Sequence, residues 1–217
     1  MINPLAHIES TVGDLPQTRR GIERRTALLI SATGLFLEHG YDAVSLDDIV
    51  QHAGGSKASI YKYFGNKDGL FTAICDYRRE ILFKDLCQSC NSEAFDLKAF
   101  LINTLFNFYN HIKIPENVAF IRLVIEQSQK NSQLAKYIHE KGPKEIQLTI
   151  AEALKKADED GIITCREPFN SAQFFFGILR NLEWRCIMGI PLDESDQETS
   201  NYIHYSVERF IDGHQKV

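Results

Sequence analysis

The stretch from Ser45 to Lys67, SLDDIVQHAGGSKASIYKYFGNK, constrains the fold more than any other part of the chain. Leu46, Ile49, Val50 and Ala53 fall at helical spacing and stop at Gly54 and Gly55, after which Ser56 opens a second run carrying Ile60 and Phe64. Two short helices joined by a glycine turn make a helix-turn-helix. Ser45 followed by Asp48 is a capping box, which marks where the first helix starts and leaves backbone N–H groups available to an anion such as a DNA phosphate. With Ile60 and Phe64 turned inward, Lys57, Ala58, Ser59, Tyr61, Lys62 and Tyr63 share the outer face. Small side chains allow close approach to a major groove, and amines and hydroxyls suit phosphates and base edges. On pattern alone, an amphipathic helix with a wet face accounts for the same spacing equally well.

The flanking sequence separates the two readings. From Leu28 to Phe71 the chain carries the Ala32, Leu35, Phe36 stripe with Gly40-Tyr41, the Ser45 cap, Ala53-Gly54, the Ser59-Ile60-Tyr61-Lys62-Tyr63-Phe64 helix, and Asn66-Lys67 opening another helix. In this combination it resembles the DNA-binding domain of TetR-family transcriptional regulators. The resemblance implies DNA contacts at Ser45, Lys57, Ala58, Ser59, Tyr61, Lys62, Tyr63 and Lys67. On that reading Tyr61, Tyr63 and Lys67 mostly touch phosphate, and Lys57 to Ser59 lie nearest base edges. The chain departs from the family pattern at Gly55, where a branched apolar residue is usual; a glycine there gives up packing in the turn.

Composition bounds what surrounds this motif. At 217 residues, 44% hydrophobic and 24% charged, the chain is long enough for one large or two small domains with a real core. It contains no apolar run of about 18 residues, and its start, MINPLAHIESTVGDLPQ, lacks the pattern of a signal peptide, so a cytoplasmic protein without membrane contact is expected. The net charge of −5 argues against general coating of nucleic acid. Between Pro16 and Lys67, however, seven Lys and Arg face five acids, a local positive excess whose DNA affinity would depend strongly on salt. Five cysteines, an odd number in a chain that shows no export signal pattern, argue against a disulfide framework as the organising device. Cys87-x-x-Cys90 has no second pair or neighbouring histidines to complete a zinc site, so semi-buried thiols are expected rather than a metal or redox sensor.

Residues 1–17 read as a flexible tail, 18–66 as the helix-turn-helix domain and 67–217 as a helical effector-binding and dimerisation domain. Arg19, Arg20, Arg24 and Arg25 crowd the start of the first helix, either to reach phosphates or as a solvated charged end. Lys67 to about Cys87 is one helix leaving the first domain for the second, a rod through which a rearrangement would swing the reading head. Beyond it the periodicity stays helical, giving an all-α fold of about nine helices. Pro168 to Met188 is read as one helix, apolar nearly all round at Phe174-Phe175-Phe176 and therefore wanted on two sides. Asp193 to Asp212 repeats Ile203, Val207, Phe210 and Ile211 on one face. In TetR-like proteins the last two helices pair with those of a second subunit, and a two-fold homodimer would present two heads to a palindromic operator on double-stranded DNA.

Phe120 to Ile190 further resembles the C-terminal domain of the AefR-like branch of that family. This implies a helical effector or dimerisation domain and leaves the ligand open. Candidates to line an effector pocket are Asn103, Asn107, Phe108, His111, Arg122, Glu126, Phe175, Leu179, Trp184 and Cys186, an aromatic and amide-rich set suited to a flat or apolar small molecule. Phe and Leu at helical spacing serve equally as plain core. His111 and His139 have no carboxylate or thiol at ligand spacing, and neither a metal nor a cofactor is expected. The expected function is a homodimeric DNA-binding repressor released by a small-molecule effector. The alternative is a DNA-bound structural or interaction protein of the same fold without such a ligand. No nucleophile elbow or phosphate-binding glycine loop supports an enzyme. The operator, the regulated genes, the effector and the sign of its effect are not encoded in any residue pattern.

Overall fold

The structure, a computed structural model, describes residues 15–87 and 96–215, with side chains except those of residues 84–87. The Cys87 and Cys90 thiols and residues 1–14 of the expected tail lie outside the described residues. Every regular element described is a helix. The first compact unit holds α1 (Arg19–His39), α2 (Leu46–Ala53), α3 (Lys57–Phe64) and the start of α4 (Lys67–Cys87). It ends at Arg79, and the second unit begins at Glu80, so the division falls inside α4. The second unit continues through α5 (Leu97–Lys113), α6 (Pro115–Lys130), α7 (Ser132–Lys141), α8 (Pro143–Glu159), α9 (Pro168–Phe176), α10 (Arg180–Met188) and α11 (Asp196–Asp212).

In the first unit Leu28, Leu29, Ala32 and Phe36 of α1 meet Ile49 of α2, Ile60 and Phe64 of α3, and Leu70, Phe71 and Ile74 of α4, all buried. Phe36, Tyr41 and Phe71 form an aromatic knot, with ring centroids 5.1, 6.1 and 5.3 Å apart. The Tyr41 hydroxyl donates to the Asp68 carboxylate, and burial together with that neighbouring charge raises its pKa. The loop between α1 and α2 is thereby tied to the first turn of α4.

The second unit is built around α5, whose Leu97, Phe100, Leu101, Leu105, Tyr109 and Ile112 pack with Ile150 and Leu154 of α8, Phe175 of α9, and Ile203, Val207 and Phe210 of α11. The Phe175 and Phe210 rings meet edge to face at 5.2 Å. The all-α fold of about nine helices expected from the sequence is what is seen, with eleven helices among the described residues, and two details account for the finer division. Ser132–Lys141 forms a separate helix, started by Asn131, whose side chain accepts from the backbone N–H groups of Gln133 and Leu134. The helix expected from Pro168 to Met188 is broken: the Gly177 N–H is shared between Gln173 and Phe174 carbonyls, and Ile178 bonds back to Phe175, tightening the chain into a turn. α11 begins at a capping box, Ser195 with Glu198, rather than at Asp193.

Candidate nucleic-acid interface

Each residue expected at the interface starts from a local backbone cause. Ser45 caps α2: its Oγ accepts from the Asp48 N–H at 3.2 Å, while Asp48 Oδ2 accepts from the Ser45 N–H at 2.7 Å and from its hydroxyl at 2.6 Å. Those bonds, the hydroxyl's first, hold the Asp48 carboxyl below the usual range. At the start of α2 the Asp48 N–H is thus taken by the Ser45 hydroxyl, and the Ser45 N–H by the Asp48 carboxylate. α3 differs, because Ser56 makes no side-chain bond to the helix start, and its hydroxyl sits 3.3 Å from that of Ser59 instead. The open helix start is therefore that of α3.

Ile60 and Phe64 are fully buried, and this fixes the roll of α3. Lys57, Ala58, Tyr61 and Lys62 are exposed, while Ser59 and Tyr63 are half-buried. Tyr61 is 54% exposed, far more than a tyrosine serving the core. The Lys62 ammonium lies 5.9 Å from the centre of the Tyr63 ring. Lys57 pairs with Asp47 of α2 at 2.8 Å, and this bond raises the lysine's pKa. Both partners are largely exposed, so the pair is readily exchanged for another anion.

Lys67 is placed differently from the others. Its ammonium donates to the Tyr41 carbonyl at 2.5 Å and lies 4.3 Å from the Tyr41 ring centre, with burial lowering its pKa. The charge is turned toward the protein. The arginine cluster also divides. Arg19 pairs with Glu23 on the exposed side of α1, and Arg20 is exposed. Arg24 bonds the carbonyls that end α2, and Arg25 lies 5.3 Å over the Phe64 ring. Asp47 was given no role from the sequence, and Arg24 was read there only as one of four arginines reaching phosphate or solvent; the glycine at position 55 was the one available signal for its contact with the turn.

The effector candidates occupy several environments in the second unit. Phe175 and Leu179 are core residues. Phe108 and Asn107 are half-buried on α5, the Phe108 ring lying 5.8 Å from that of Phe176. His111 is held by the Asn117 amide, 3.0 Å from its Nδ1. Arg122 donates to the Ile187 and Cys186 carbonyls at 2.6 and 2.9 Å, which brings α6 to the end of α10. Burial raises the pKa of the Cys186 thiol. Glu126 is exposed and pairs with Lys130 at 2.8 Å; Asn103 and Trp184 are also exposed. Interior polar groups escaped the sequence reading, Gln127 among them: it is 5% exposed, and its Nε2 is buried without a hydrogen-bond partner. Its position after Phe120 and Leu123, on the same apolar face of α6, was the available clue. Among the described residues no group of three His, Cys, Asp or Glu is disposed to hold a metal ion, and no helix is long and apolar enough to cross a membrane.

This arrangement has known counterparts. Residues 28–74 match the family described as bacterial regulatory proteins, tetR family, and residues 100–215 match the C-terminal domain of AefR-like transcriptional repressors. The transcriptional repressor ComR of Escherichia coli is 46% identical over 52 residues, which cover 24% of this chain and 25% of ComR. The transcriptional activator FasR of Mycolicibacterium smegmatis is 32% identical over 92 residues, 41% of this chain and 42% of FasR. These matches therefore span less than half of either relative. IcaR of Staphylococcus aureus, a negative regulator of a biofilm operon, is 26% identical over 69% of this chain and 77% of its own length. Among solved structures, a TetR-family regulator from Mesorhizobium loti superimposes with a TM-score of 0.78 at 24% identity, covering 92% of this chain and 100% of that one. The flavonoid-responsive regulator FrrA gives 0.74 at 26% identity, covering 88% and 97%.

Proposed function

The chain belongs to the TetR family of transcriptional regulators, and from that premise we propose that it acts in the cytoplasm as a homodimeric repressor, reading a palindromic DNA operator with α3 and leaving it when a small molecule binds the second unit. The observation that carries this reading is the outer face of α3, where Lys57, Ala58, Tyr61 and Lys62 stand exposed beyond the buried Ile60 and Phe64. Lys57, Ala58 and Ser59 take the base edges, and Tyr61, Lys62 and Tyr63 the flanking phosphates. Ser45, the cap of α2, joins them as a further phosphate contact. Lys67 serves the interface by holding the Tyr41 loop and reaches phosphate only by releasing that carbonyl. Repression is supported by the AefR-like repressor match; the named relatives include both repressors and an activator.

For the effector we propose an aromatic or apolar molecule near Asn107, Phe108 and His111 of α5, with the unpaired Gln127 amide as a donor to one of its acceptor atoms. FrrA, described as flavonoid-responsive, supports an aromatic compound. The test is fluorescence-anisotropy binding to DNA selected from a random pool, at low and physiological salt. Enrichment of a palindrome bound tightly at physiological salt is the expected result, and the same assay then screens aromatic compounds for release. Selection of a palindrome that no compound releases would favour the alternative, an interaction protein of the same fold. Weak binding erased by salt would overturn the operator reading itself.

The Lys57–Asp47 pair gives a sharper expectation. Lys57 must exchange Asp47 for DNA, and Asp47 adds a negative charge beside the reading helix. Asp47→Asn should tighten operator binding several-fold and steepen its salt dependence by about one unit in log–log slope. Weaker binding would instead mean that Asp47 is needed to aim the lysine.

A further inference from the structure

α2 and α3 are joined by two glycines, both with backbone angles that side-chain-bearing residues rarely adopt: φ is +71° at Gly54 and +113° at Gly55. The last carbonyls of α2 lack partners within the helix, as at any helix end. Here they find one on α1. Arg24 Nη1 donates to the Gly54 carbonyl at 2.8 Å and to the Ala53 carbonyl at 3.3 Å. The positive guanidinium also lies at the negative end of the α2 dipole.

The same guanidinium covers Gly55. A Cβ built there would stand 3.1 Å from Arg24 Nη1, 3.4 Å from Cζ and 3.6 Å from Nε. The glycine is thus required both for its φ and for the space the arginine fills. The loss of turn packing expected from a glycine at this position is made good by a side chain from another helix. Gly55 directly precedes Ser56, the N-cap of α3, so the contact sits one residue from the start of the reading helix.

We propose that Arg24 is a positioning residue for DNA recognition, a latch on the α2–α3 turn that sets the pose of Lys57, Ala58 and Ser59, with its charge committed to protein carbonyls rather than to phosphate. The proposal rests on the reading of α3 given above. It departs from that reading in assigning a specificity role to a residue outside the DNA-facing set. Because bidentate base contacts are sensitive to small displacements, loosening the turn costs operator recognition more than it costs attraction to DNA in general.

The experiment uses the full chain and compares wild type with Arg24→Lys, Arg24→Ala, Gly55→Val and the double variant Arg24→Ala/Gly55→Val. Operator affinity is expected to fall about tenfold in Arg24→Ala, the usual scale for losing hydrogen bonds from a charged donor, with a wild-type salt slope and unchanged affinity for random DNA. Arg24→Lys keeps a donor but loses the plane over Gly55, and should recover only part of the loss. The double variant should be no weaker than the weaker single variant, because both changes remove the same contact. If Arg24 touched phosphate, its removal would flatten the salt slope by about one unit and weaken operator and random DNA alike, and that result overturns the proposal. So does strict additivity in the double variant. Amide hydrogen exchange of residues 54–62 in Arg24→Lys gives a readout independent of DNA. Faster exchange confined to the turn and α3 supports the latch, and exchange equal to wild type refutes it. If wild type selects no operator, the regulator reading fails while hydrogen exchange still decides the latch.

Discussion

Phe36→Ala is expected to unfold the DNA-reading unit at temperatures where the second unit remains folded. Phe36 is 1% exposed and its ring meets those of Tyr41 and Phe71, so truncation removes one member of the aromatic knot and leaves the other two around a void. Buried Phe→Ala changes cost about 3–5 kcal/mol. A small domain of this size has a stability near the low end of about 5–15 kcal/mol. The loss also reaches beyond the core, because the Lys67 ammonium lies 5.7 Å from the Phe36 ring centre while bonding the Tyr41 carbonyl. A thermal melt followed by circular dichroism should resolve an early transition in the variant, and operator binding should be lost with it. Phe36→Leu, which keeps most of the volume, should melt between the two. A Phe36→Ala protein that melts like wild type would show that the knot contributes nothing the rest of the core cannot replace.

The head was legible in the sequence because its determinants are local. Ser45 and Asp48 are three residues apart, and both bonds of the capping box are present. Ile60 and Phe64 are one helical turn apart, and burying both sets the exposure of the residues between them. The second unit was less legible where periodicity misleads. α7 carries no fully buried residue, so its short amphipathic pattern between Asn131 and Gly142 gave little to recognise. The break between α9 and α10 was hidden because apolar residues continue at helical spacing across it, from Phe175 to Leu179 and Leu182, all buried. The helix pattern survives there while the hydrogen bonding does not.

The arginines were illegible for a different reason. Arg24 finds its carbonyls 29 and 30 residues away, and Arg122 finds the end of α10 at separations of 64 and 65. In each case a long cationic side chain from a neighbouring helix satisfies carbonyls that a helix end leaves open. The sequence reading placed Arg24 in a cluster for phosphate or solvent and Arg122 among the candidates for an effector pocket, because spacing alone does not show which distant carbonyl a long side chain reaches. Gly55 was the trace such a contact leaves in sequence, since a missing side chain at a usually filled position implies that something else occupies the space. Lys67 makes the same point in reverse. A lysine opening a helix beside a DNA reader looks like a phosphate contact, yet here its ammonium is held over Tyr41.

Replacing both Trp184 and Tyr205 with glutamate should convert the protein to a monomer and lower operator affinity by about a hundredfold, the scale at which linked half-sites exceed single ones. Trp184 is 56% exposed on α10 and Tyr205 is 61% exposed on α11, alongside Phe174 at 71% and Met188 at 59%. The Tyr202 hydroxyl donates to the Ile178 carbonyl, which places the outer face of α11 beside the turn that separates α9 from α10. So many large apolar side chains left outside on three neighbouring helices are uncommon on a protein that works alone. In the homodimer proposed above, a second copy would cover such a face by two-fold symmetry and give two reading heads. The carboxylates would meet their own symmetry mates or apolar surface in the dimer, whereas in the monomer they are solvated and leave the core of α5, α8 and α11 untouched. Light scattering should therefore report a monomer whose helix content matches wild type and whose affinity for a half-operator is unchanged. A dimer that survives both substitutions would place the subunit contact on another face. Loss of half-operator affinity in a folded monomer would instead mean that these residues act on the reading head directly.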